Sequence, residues 1–162
     1  FNKKNVIIST QSSTDFSNIP SNSVDFIFVD PPFGENLMYS ELNFLYEAWN
    51  EVLTNNKDEA IMNTIQNKDI NDYNDLMKIS FQNLYRVLKP NRWITIEYHN
   101  SSSLIWNGLQ DSLSKAGFII AHTSILKNKG GSFIINVSPN SVANDLMINA
   151  YKPSESFTKK IM

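Results

Sequence analysis

The chain has 162 residues, 41% hydrophobic and 12% aromatic, which suits one globular domain with a real core and is too short for two. It has no cysteine, which excludes a disulfide framework and thiolate metal sites, and its two histidines, His99 and His122, lack ligand-like spacing with acidic residues, so no metal is expected. A formal net charge of −2 argues against a self-sufficient DNA binder, because backbone affinity rests on neutralising phosphates; the lysines at 127, 129, 152, 159 and 160 read as scattered, solvated surface.

No apolar run reaches the length of a membrane span and no signal peptide opens the chain, so a cytoplasmic protein is expected. The first residue is Phe1 rather than methionine, which points to a piece of something longer. Residues 5–9 read as a short strand. A connection rich in Ser, Thr and Asn leads to residues 24–30, an apolar run of β-branched and aromatic residues short enough to be a buried strand. That strand cannot continue past Asp30. Pro31 and Pro32 remove two ladder donors, and Gly34 then permits a sharp turn. An acid is thereby held at the carboxyl end of a strand, on a rigid proline corner, with Phe33 beside it. Open α/β sheets bind ligands at that edge.

The residue types suit one task. An exocyclic amino group on a nucleobase is a poor nucleophile, because its lone pair is delocalised into the ring. Asp30 and the Pro31 carbonyl are two acceptors for its N–H bonds, and Phe33 offers a face on which an extruded base can stack, a contact worth about 1–3 kcal/mol. Enzymes that modify a base must first take it out of the duplex.

From residue 40 to 53, Leu42, Leu45, Trp49 and Val52 fall three and four apart, predicting an amphipathic helix capped by Ser40 or a neighbour. Tyr39, close to the proline corner, is a candidate substrate contact. Residues 54–71 are polar and predict a short helix or loop. Residues 72–88 give the clearest helix: Tyr73, Met77, Phe81, Leu84 and Leu88 share a face, Asp72 or Asn71 caps it, Arg86 and Lys89 complement the dipole, and Pro90 stops it. Asn91 tolerates left-handed geometry in the turn before a strand at 93–98. His99 and Asn100 end that strand at the carboxyl edge, where either could face the pocket; a satisfied polar residue at a strand end is the preferred reading. A helix from Leu104 to Ala116 ends at Gly117. Strands at 118–126, 133–137 and 146–151 come next, the last antiparallel, with a Gly130-Gly131 turn at 127–132, a loop at 138–145, and a polar tail from 154 to 162.

Asp30-Pro31-Pro32-Phe33 after a hydrophobic strand resembles the catalytic motif of the S-adenosylmethionine-dependent amino-methyltransferases of DNA, the N6-adenine and N4-cytosine group. Residues 12–25 resemble the family's approach to that motif, 36–43 its continuation past the motif, and 85–90 the helix end and turn before the next strand. The likeness covers most of residues 5–153 in consistent order. It implies an α/β, Rossmann-like methyltransferase sheet with an antiparallel strand at the sheet end, forming a single partial catalytic domain over residues 1–153. It also implies methyl transfer from S-adenosylmethionine to the amino group of a flipped base, with adenine N6 favoured by the Asp at the first motif position. Asp30, Pro31, Pro32 and Phe33 would be catalytic, Phe33 and Tyr39 would contact substrate, and Asp30 would reach the cofactor; Asp15 could reach it too, but a helix-start or turn residue is the preferred reading there. DNA would be engaged by the full-length protein, with a companion restriction subunit as a further expected partner.

One part of the family pattern is missing. The five glycines stand at 34, 108, 117, 130 and 131, so there is no Gly-x-Gly and no Gly-rich first turn for a nucleoside cofactor. The acidic residue that holds the ribose is missing as well. The sequence therefore reads as the catalytic half of the sheet without its first, cofactor-binding strands, inactive as an isolated fragment. The alternative from a different class is a non-catalytic module, binding nucleic acid or a partner, that kept the methyltransferase shell.

Overall fold

The computed structural model describes residues 6–35, 37–99, 102–127, 144–154 and 156–157. Most of the expected turn at 127–132, the strand at 133–137, most of the loop and tail, and Asn100 lie outside them.

The described chain runs β1 (Val24–Val29), α1 (Tyr39–Trp49), a single 3-10 turn at Asn56–Asp58, α2 (Ile70–Val87), β2 (Leu88–Tyr98), α3 (Ser103–Ala116), β3 (Ile119–Lys127) and β4 (Asn144–Tyr151). The four strands form one mixed sheet in the order β1-β2-β4-β3. β1 pairs parallel with β2, whereas β4 is antiparallel to both β2 and β3. The expected antiparallel strand is thus β4, one place in from the end of the sheet.

α2 and α3 form the second layer. Tyr73, Met77, Phe81 and Leu84 from α2, and Ile105, Leu109 and Leu113 from α3, close over Ile27, Ile94, Ile96, Tyr98, Ile148 and Ala150. Period-2 alternation puts Phe26, Phe28, Trp93 and Thr95 on the other face, where Phe26 and Phe28 are 57% and 55% exposed. β1 is therefore not the buried strand expected from its composition. It lies at the sheet edge, and among the described residues no layer covers its outer face. Residues 6–9 form no strand, and Ile7 and Ile8 are 94% and 92% exposed. Among the described residues their apolar pattern has no strand to pair with.

Capping also differs from expectation. α2 starts at Asp69, whose carboxylate accepts from the Asn71 and Asp72 amides, while Asp72 reaches back to the Asp69 amide in a capping box. α1 begins one residue early, with no side-chain cap. Ser40 donates instead to Glu59, 2.7 Å away. No residue of α1 is buried, so its apolar stripe is left largely uncovered among the described residues. Gly117 ends α3 at φ +101°, and Asn91 takes φ +59° within the opening stretch of β2, which begins at Leu88 in place of the turn expected before residue 93; both are left-handed as their residue types allow.

Candidate active site

Register places the acid. Val29 lies opposite Ile96, so Asp30 leaves β1 at the end of the sheet where β2 also finishes. Pro31 is buried and Pro32 half-buried. The corner is fixed from below: the Tyr73 hydroxyl, on the buried face of α2, donates to the Pro32 carbonyl at 2.7 Å. Burial pushes the Tyr73 phenol well above its ordinary range, as does the neighbouring Tyr98, so Tyr73 stays a donor. In the sequence Tyr73 is legible only as one of a helix's apolar positions; nothing in its spacing points to the corner. Tyr73→Phe is expected to lower stability by about 1 kcal/mol, read as a shift in urea midpoint, because the Pro32 carbonyl loses its donor.

A cavity of about 430 Å³ opens beside this corner. Asp30, Pro31, Pro32 and Tyr39 line it, over an apolar floor that includes Val29, Met77 and Phe81. Asp58 and Glu59 add acid to Asp30 at its walls. Burial, and then the Asp145 carboxylate, hold the Asp30 carboxyl above the usual carboxylate range. Tyr39 is shifted upward too, by burial and then by the charge of Asp30. Among the described residues Asp30 has no hydrogen-bonded or cationic partner. Its acceptor capacity is available to a ligand.

Phe33 does not line this cavity. Its ring packs edge-on to Tyr98 at 5.9 Å between centroids and tilted to His99 at 6.1 Å. Asp15 is not brought to the site. It is exposed and accepts from the Ser17 amide at 2.8 Å, which holds its carboxyl below the usual range and makes it a turn residue. Its neighbours Ser12, Ser13 and Phe16 do line the cavity. They are held there by contacts to α2: Ser13 to Ser80 at 3.0 Å, the Asn83 amide to the Thr14 carbonyl at 2.7 Å, and Arg86 to the Phe16 and Ile19 carbonyls. Arg86, expected from sequence as a dipole partner, is mainly the clamp on this segment.

No family model matches the sequence, and no curated protein matches it. The fold is nevertheless similar to that of solved DNA methylases. PvuII DNA methyltransferase, cytosine-N4-specific, superposes with a TM-score of 0.54 at 15% identity, over 89% of this chain and 49% of the other. A candidate DNA modification methylase from Thermus thermophilus, complexed with S-adenosyl-L-methionine, gives a TM-score of 0.52 at 14% identity, over 88% of this chain and 54% of its own. The chain spans about half the length of these structures. At such identity the likeness is one of fold: a mixed sheet of the S-adenosylmethionine-dependent methyltransferase kind.

Proposed function

We propose that this chain is the base-gripping region of a DNA amino-methyltransferase, acting on the exocyclic amine of an extruded base. One observation carries the reading. A carboxylate with no partner of its own among the described residues stands at the carboxyl end of a strand, on a corner made rigid by two prolines and a buried tyrosine. Such an acid serves as an acceptor for N–H groups. Asp30 and the Pro31 carbonyl would each take one N–H of the amine, drawing its nitrogen towards a pyramidal, nucleophilic geometry. Asp30 works here by orientation and electrostatics, since its charge is fixed in place before the nitrogen becomes positive. Phe33 would carry the stacked base, and Tyr39 would close the cavity side. Adenine N6 is favoured over cytosine N4 by the family tendency of an Asp at the first motif position.

The methyl donor implied by the fold is S-adenosylmethionine. The acidic walls formed by Asp30, Asp58 and Glu59 suit the cationic sulfonium and ammonium of its methionine end. The residues present do not fit its nucleoside end. The sequence has no Gly-x-Gly turn, and β1 has only β2 as a strand neighbour among the described residues, where a cofactor strand would continue the sheet. Chain beyond this half-sheet would supply the nucleoside cradle, the basic surface that a net charge of −2 does not provide, and any contact with a companion restriction subunit.

The test is the product. DNA exposed to the full-length protein and S-adenosylmethionine is digested to nucleosides and read by mass spectrometry. N6-methyladenine is expected; N4-methylcytosine would correct the target, and neither product would overturn the reading in favour of a non-catalytic binding module.

A further inference from the structure

His99 comes just after β2 at the same sheet end as Asp30, and Asp145 stands across from it near the start of β4, whose Leu146 pairs with Tyr98. The His99 Nδ1 lies 2.5 Å from an Asp145 carboxylate oxygen. In the neutral imidazole that bond assigns the ring proton to Nδ1 and leaves Nε2 as the ring's acceptor. His99 is partly exposed, and among the described residues no group is bonded to Nε2. Its ring is tilted against Phe33 at 6.1 Å, and the Asp145 charge reaches Asp30. Three strand ends thus bring a carboxylate, an aromatic face and an oriented imidazole to one edge.

We propose that His99, held in one tautomer by Asp145, is a further base-contacting residue of this site, its Nε2 sharing with the Pro31 carbonyl, as a three-centre hydrogen bond, one of the two N–H bonds of the amine of the base stacked on Phe33. The inference rests on the amino-base reading above and adds a specificity element to it. With Asp30, the Pro31 carbonyl and Nε2, the site presents acceptors only. It selects bases that offer an exocyclic N–H pair and gives nothing to a base edge lacking one. Asp145 does not touch the base; it is a positioning residue acting through the ring.

The chain has only two histidines, so their side-chain nitrogens are readily assigned by NMR, with His122→Gln identifying the exposed imidazole on β3. The experiment records the ring ¹⁵N shifts of the 162-residue chain at pH 8, then titrates adenosine, cytidine and purine riboside, the last being adenosine without its amine. The expected result is an unprotonated Nε2 in the free protein whose resonance moves with adenosine or cytidine and not with purine riboside. His99→Ala should weaken adenosine about fivefold. Asp145→Asn should restore the mixed tautomer signature and weaken adenosine about threefold, without altering the amide spectrum of α2 or β2. A free protein with Nε2 protonated overturns the assignment. So does an adenosine titration that moves the Phe33 and Asp30 amides but not the His99 ring, an outcome that leaves the amino-base reading standing. If no nucleoside moves any of them, both readings fail together.

Discussion

Asp30→Ala lowers methyl transfer by the full-length protein at least about a hundredfold, with the fold unchanged, if the acid does what its position suits it for. Asp30→Asn separates charge from shape, since the amide keeps a carbonyl acceptor for the amine N–H but loses the negative charge that faces the nitrogen as it becomes positive. It is expected to lose nearly as much activity. Neither change should unfold the chain, because the side chain bonds to no other described residue. Stability should move the other way. Burial and the Asp145 charge raise the Asp30 carboxyl above its range in the unfolded chain, so the folded state binds that proton more tightly. The ionised acid therefore costs stability at neutral pH, and the cost fades as pH falls from the folded pKa towards the unfolded one. Asp30→Asn removes this dependence and should match or slightly exceed the parent in urea midpoint at pH 7. An Asp30→Asn protein with unchanged turnover would remove the central assignment, whatever its stability.

Lys152→Met is expected to have the largest effect on folding, about 2–4 kcal/mol, or a melting temperature lower by roughly 5–15 °C. The side chain is 9% exposed, and its ammonium donates to the Asn22 side chain at 2.7 Å and to the Tyr85 and Leu88 carbonyls at 2.8 and 2.9 Å. It also stands 4.6 Å over the Tyr85 ring. These partners come from the turn before β1, the last turn of α2 and the start of β2. One cation thus joins both ends of the sequence at the amino end of β1 and satisfies carbonyls that the helix leaves open. Methionine keeps the packing volume and leaves the acceptors dry. A midpoint within error of the parent would show that water replaces the ammonium without cost.

Lys152 also shows where reading the sequence stops. In the sequence it groups with Lys127, Lys129, Lys159 and Lys160 as solvated surface, since a lysine beside a proline near a polar tail carries no periodic signal. Its role depends on Asn22, 130 residues away. α2 and α3 are legible because their burial comes from a repeat of three and four within one element, and a helix forms its own hydrogen bonds. β1 is legible as a strand but not as an exposed one, because composition reports what a segment could bury and not whether a neighbour is there to bury it. The strand expected at residues 5–9 fails for the same reason. At the site, Asp30, Pro31 and Pro32 are visible as a motif, and Tyr39 by its nearness to them. Tyr73 is hidden in a helix face, and His99 reads along the chain as a strand end that could face the pocket, with nothing to show that Asp145 meets it.

By itself the sequence determined the local chemistry: where a strand must stop, which acid stands at the stop, which helices have a face to bury, and that no glycine-rich turn accompanies them. Those are properties of neighbouring residues and need no third dimension. Only the tertiary structure decided which groups meet at the proline corner, that Asp145 aims His99, that Tyr73 braces Pro32, and that one sheet face and the outer edge of β1 are left uncovered among the described residues. Such pairings join residues tens of positions apart through strand register and helix packing, and the pattern along the chain does not encode them one element at a time.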